Sequence, residues 1–121
     1  MLRRRVTLVV KMNQGILVGK HIFNWNFALL GGGVKFGEND LDAVRRELKE
    51  ETNLECRKIK YLFDFNYGLH KHKVFLVEAE GNLKFNWEVR EHKFVNGKNY
   101  REIKLREFSR RILDKYFAEK N

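Results

Sequence analysis

The stretch GGGVKFGENDLDAVRRELKEETNL, residues 31–54, constrains this chain more than any other. Three successive glycines permit tight turns and close backbone approaches that side chains forbid. They lead into a segment of helical period, 40–51, where Leu41, Val44 and Leu48 recur at i, i+3 and i+7. Asn39 or Asp40 can cap its start, and Asn53 stands where a left-handed residue ends a helix. The stretch is also an acidic island. Six acids (Glu38, Asp40, Asp42, Glu47, Glu50, Glu51) face four bases (Lys35, Arg45, Arg46, Lys49), in a protein of net charge +9. With −2 in the island, the rest of the chain carries +11.

On a helical wheel at about 100° per residue, Glu47, Glu50 and Glu51 share an arc of about 100° that borders the apolar stripe of Leu41, Val44 and Leu48. Like charges at i, i+3 and i+4 repel in a bare helix, so a positive partner is required. Lysines and arginines can serve, which leaves a plain solvated face. A hard divalent cation is the alternative: Mg²⁺ binds through one or two carboxylates plus substrate phosphates and needs neither Cys nor His.

The surrounding chain reads as one domain, 1–121, with 43% hydrophobic and 34% charged residues and no apolar run long enough to span a bilayer. The N-terminal VTLVV run behind RRR is too short for a signal sequence and reads as a strand. The single Cys56 excludes a disulfide framework and a cysteine zinc site, and a cytoplasmic location is the default. The basic remainder suits anionic partners.

Strands are expected at 4–12 and 15–21, joined by a hairpin turn at Asn13 and Gln14, and at 26–30, where the glycines end the strand. Further strands are expected at 58–66, 73–80 and 92–96, with a terminal helix over 101–118. Two helices covering a β-rich order imply an α/β chain with a mixed sheet between them. His70 and His72 read as exposed loop residues.

Gly32, five residues, Glu38, seven residues, then RELKEETNL from Arg46 to Leu54 resembles the Nudix box, G-x5-E-x7-R-E-U-x-E-E-x-G-U, with Asn53 in place of the last glycine. A chance match at one start is on the order of 10⁻⁸ given average residue usage. The preceding FALLGG is similar to the family's W-x-L-P-G-G, with Phe27 and Leu30 in place of tryptophan and proline. The resemblance implies the Nudix α/β/α sandwich, and hydrolysis of a diphosphate linkage in a nucleoside-diphosphate-linked substrate with Mg²⁺ or Mn²⁺.

It further implies Glu50 and Glu51 as metal ligands, Glu47 as ligand or general base, and Glu38 as an outer ligand or the partner of Arg46. The Gly31 carbonyl could complete the coordination, and Arg46 would fix the glutamates. A distal carboxylate is expected from Glu88 or Glu91, and substrate contacts from Lys20, His21, Trp25, Phe27 and Tyr67. The family's subfamily signatures for ADP-ribose, dinucleotides and coenzyme A are missing. That leaves a (deoxy)nucleoside triphosphate pyrophosphohydrolase, with RNA 5′ ends, ADP-ribose or dinucleotides, and a non-catalytic nucleotide- or RNA-binding module as alternatives. The expected form is a monomer or homodimer, with no membrane partner.

Overall fold

A computed structural model describes residues 3–120. Strands β1 (Arg3–Met12), β2 (Gly15–His21) and β3 (Ala28–Gly33) are followed by helix α1 (Asp40–Thr52). Strands β4 (Glu55–Tyr67), β5 (His70–Glu80) and β6 (Val89–Val95) lead, through one 3₁₀ turn at Tyr100–Glu102, to helix α2 (Glu107–Glu119). The strands form one mixed sheet in the order β4-β5-β1-β3-β2-β6. β1 runs parallel to β5 and antiparallel to β3. No helix among the described residues is long and apolar enough to cross a membrane.

Period-two alternation makes β1 the centre of two cores. Val6, Leu8 and Val10 face the core that holds Ala43, Val44 and Leu48 of α1. Val9 faces the other, with Ile112, Leu113 and Tyr116 of α2. The sheet thus lies between the two helices, as expected. Asn39 caps α1 by accepting from the Asp42 amide, and Asn53 closes it with φ 62°, its amide donating to the Lys49 carbonyl.

Three expectations change. The glycines do not end β3: Gly31, Gly32 and Gly33 pair with Thr7, Val6 and Arg5. Leu41 lies outside the buried stripe, at 46% exposure, while Thr52 is buried because its hydroxyl donates to the Leu48 carbonyl and accepts from the Leu54 amide. Residues 101–106 are not part of the terminal helix: Arg101 and Glu102 close the 3₁₀ turn, and backbone bonds from Phe27 to the Lys104 carbonyl and from Arg106 to the Phe27 carbonyl hold residues 104–106 extended beside the start of β3.

His72 is a fourth correction. It lies on β5 and is 3% exposed, with its Nδ1 2.8 Å from Thr7 Oγ1 and its ring stacked on Phe108 at 4.9 Å. Burial, aided by Arg5 and His70, pushes its pKa down to about 4. The unfolded chain therefore takes up this proton at higher pH than the folded one, so stability is lost as pH falls from about 6.5 toward 4. Urea unfolding of wild type and His72→Gln should show a difference that shifts by about 2–3 kcal/mol across that window. A constant difference would exclude a buried neutral imidazole.

Candidate active site

β1 and β2 separate beyond their turn, and β3 fills the space between them. β3 pairs with β2 only at Val18↔Leu29 and Gly19↔Ala28, whereas its pairing with β1 continues to Arg5↔Gly33. The glycine end of β3 therefore has an open side. Side chains of α1 close it: the Gly31 amide donates to Glu51 Oε1 at 3.1 Å, and Arg46 Nη2 donates to the Gly33 carbonyl at 3.0 Å. Gly32 faces α1, and a Cβ there would overlap the Glu47 carboxylate. Helix and strand approach this closely because the position has no side chain.

Arg46 is the hub. Its Nε and Nη2 grip both oxygens of Glu38 at 2.7 and 2.9 Å, and Nη1 donates to Glu47 at 2.9 Å and to Glu50 at 3.4 Å. Glu38 also accepts from the Lys35 amide, and these bonds hold its carboxyl down to about 2. Of the two roles expected for Glu38, the geometry is that of the partner of Arg46. Glu47 is shifted the other way: burial raises it first, Arg46 opposes, and the charges of Glu51 and Glu50 raise it further. A strained acidic cluster with one fixed guanidinium leaves negative charge to be neutralised.

The far wall comes from β2 and the loop before β6. His21 Nε2 lies 3.6 Å from Glu51 Oε2, and that contact raises its pKa, with Glu88 adding to the effect and burial opposing it. The Ile22 amide donates to the Glu88 carbonyl at 2.8 Å, tying the two loops together. Glu88 is thus within electrostatic reach of the cluster, while Glu91 is paired with Lys20 at 3.0 Å. Phe27 is only 6% exposed, in the α2-side core, with Lys20 and Lys93 over its ring, so it offers no open face to a base. Trp25 is 91% exposed on the β2–β3 loop. Tyr67 stacks on Phe65 beneath Arg111, on the α2 side.

The donor set fits a hard divalent cation. Glu47, Glu50 and Glu51 are oxygen donors on adjacent turns of α1, and Gly32 keeps space at Glu47. Among the described residues no group of three or more Asp, Glu, His or Cys side chains is arranged to hold a metal ion by itself. An ion held through Glu50 and Glu51 would need substrate phosphates and water to complete its shell, as Mg²⁺ commonly does.

The NUDIX domain family model matches residues 1–116. The chain belongs to the Nudix family. An RNA pyrophosphohydrolase of Ruthia magnifica subsp. Calyptogena magnifica is 32% identical to this Nudix chain, over 69% of it and 60% of the relative. The chain therefore spans less than two thirds of that protein. A nudix hydrolase family member from Chromobacterium violaceum superimposes with TM-score 0.88 at 32% identity, over 100% of this chain and 80% of that one. MutT from Aliivibrio salmonicida and Vibrio cholerae superimposes with TM-score 0.84 at 17% identity, covering 98% and 99%, a likeness of fold.

Sequence reasoning missed two members of this Nudix site, Asn86 and Arg5, and one contact between members it had named. The Glu51–His21 contact depends on where β2 ends. The Asn86 side chain donates to the Glu50 carbonyl at 3.3 Å, joining the β5–β6 loop to α1. Arg5 is half-buried on β1 and feels both Glu47 and Glu51. Only Arg5 had a signal, as the last arginine before the apolar run.

Proposed function

We propose that this Nudix domain hydrolyses a nucleoside triphosphate to the nucleoside monophosphate and pyrophosphate, with a divalent cation, Mg²⁺ or Mn²⁺, as cofactor. The carrying observation is that Arg46 holds Glu47 and Glu50 while the Gly31 amide holds Glu51, which sets all three glutamates along the open edge of β3. Glu50 and Glu51 are the carboxylates that would hold the ion, and Glu47 is a further ligand or the general base. A bound cation supplies charge neutralisation at phosphate oxygens and lowers the pKa of water. In the reaction an oxygen–phosphorus bond forms from water, the bridging anhydride bond breaks, and the water proton leaves through a carboxylate. On this reading Arg46 and Glu38 position the carboxylates, Glu88 is the favoured distal acid, and His21 and Lys20 contact the phosphate chain, Lys20 on release from Glu91.

A second reading, hydrolysis at RNA 5′ ends, draws on the 32%-identical RNA pyrophosphohydrolase and on exposed Phe23, Trp25 and Trp87 near the site's loops. Exposed aromatics of this kind stack on single-stranded bases. Both are tested by a panel of nucleoside triphosphates, ADP-ribose, dinucleotides and 5′-triphosphate RNA, with Mg²⁺ or Mn²⁺ and product identification. Turnover of free triphosphates supports the first reading, and preference for RNA the second. Inactivity toward all of them, with retained binding, favours a non-catalytic module.

A further inference from the structure

On the α2 side of the sheet, two guanidinium groups, those of Arg5 and Arg106, lie within electrostatic reach of one another. Arg5 on β1 sits between Gly33 of β3 and His72 of β5 in register, so the three positions share one face. A Cβ built at Gly33 would meet nothing within 4 Å, which leaves open space beside Arg5. On the other side the buried His72 ring stacks on Phe108, and the Arg106 guanidinium lies 5.2 Å over that same Phe108 ring. Arg106 is fixed at the start of α2 by its amide bond to the Phe27 carbonyl.

Neither arginine makes an ion pair or a side-chain hydrogen bond with the described residues, although most of the chain's other arginines do. We propose that Arg5 and Arg106 form an anion subsite that takes a phosphate group of the substrate's polyphosphate chain, beside the carboxylates of the Nudix helix. The identity of the anion rests on the pyrophosphohydrolase reading.

The electrostatics agree with this arrangement. Arg5 is lowered chiefly by burial and also by Arg106, while Glu47 and Glu51 offset part of the effect. Two like charges with incomplete compensation, one of them half-buried, gain from an anion between them. A carboxylate ligand has no second group for the cation at Glu50 and Glu51. A polyphosphate has one phosphate for the cation and another for the guanidinium pair.

The test is binding of inorganic tripolyphosphate by calorimetry in EDTA, which needs no turnover. Arg5→Gln and Arg106→Gln should each weaken binding about tenfold or more. Lys60→Gln, on the distant β4 strand, should leave it unchanged. Thermal melting checks folding, and the exposed Arg106 provides a variant that spares the core should Arg5→Gln unfold. Unchanged affinity in Arg106→Gln, or equal loss in Lys60→Gln, overturns the subsite. A chain that binds tripolyphosphate through both arginines yet hydrolyses none of the nucleotide panel overturns the enzymatic reading and leaves the subsite standing.

Discussion

Glu51→Gln and Glu47→Gln are each expected to slow Mg²⁺-dependent hydrolysis by about a hundredfold or more, with little change in thermal melting. The two parts of this expectation have different causes. A glutamine at 51 keeps an oxygen for the Gly31 amide, so the 3.1 Å bond that closes the strand survives. Removing one charge also relieves the mutual repulsion that helps raise Glu47. Folding is therefore spared. Chemistry is not, because a neutral amide is a poor ligand for a hard cation and cannot accept a proton from water. Glu38→Gln, which weakens the bidentate grip on Arg46, should cost about tenfold. Turnover that survives in both the Glu47 and Glu51 variants would remove the helix from the catalytic assignment.

Alanine at each of the three glycines should produce three different outcomes, although the residues are adjacent and chemically identical. Gly31 has φ +148°, and a Cβ there runs into the Val6 carbonyl of the central strand. Backbone cannot move aside cheaply, so Gly31→Ala should lose about 3 kcal/mol or more of stability in urea unfolding. At Gly32 the obstacle is the Glu47 carboxylate, the end of a flexible side chain held by Arg46. Gly32→Ala should fold and lose activity by about tenfold to a hundredfold, since it displaces the carboxylate proposed as ligand or base. Gly33 has nothing near its Cβ, and Gly33→Ala should change stability by no more than about 0.5 kcal/mol. A uniform response across the three would mean that they serve only as a flexible hinge.

The difference between these neighbours also explains what the sequence could and could not tell. Helix α1 was readable because its information is local: Asn39 and Asn53 cap it, and the glutamates repeat along one side. The strands were readable from runs of β-branched residues, and so was their enclosure by two helices. The end of β3 was misread because glycine is a poor strand former in isolation, whereas here its lack of a side chain is what lets α1 approach. His72 was misread for a similar reason: its polar ring is buried by Thr7 and Phe108, which are remote in sequence. Residues 101–106 have helical spacing, yet the first two close a 3₁₀ turn and bonds to Phe27 hold residues 104–106 extended. The choice of Glu88 over Glu91 depends on the β2–β6 register, in which Lys20 stands opposite Glu91. No local pattern carries such pairings.

The gap where β3 outruns β2 has a consequence for self-association. An unpaired stretch of strand is a ledge on which another extended chain can dock. This ledge lies inside the sheet, where β3 keeps its pairing with β1 beyond its last pairing with β2. Glu51 and Arg46 instead occupy its amide and carbonyl, as a neighbouring strand would, and they carry opposite charges into a place an invading peptide would have to desolvate. The two residues proposed to organise catalysis would therefore also keep the protein from pairing with the wrong backbone.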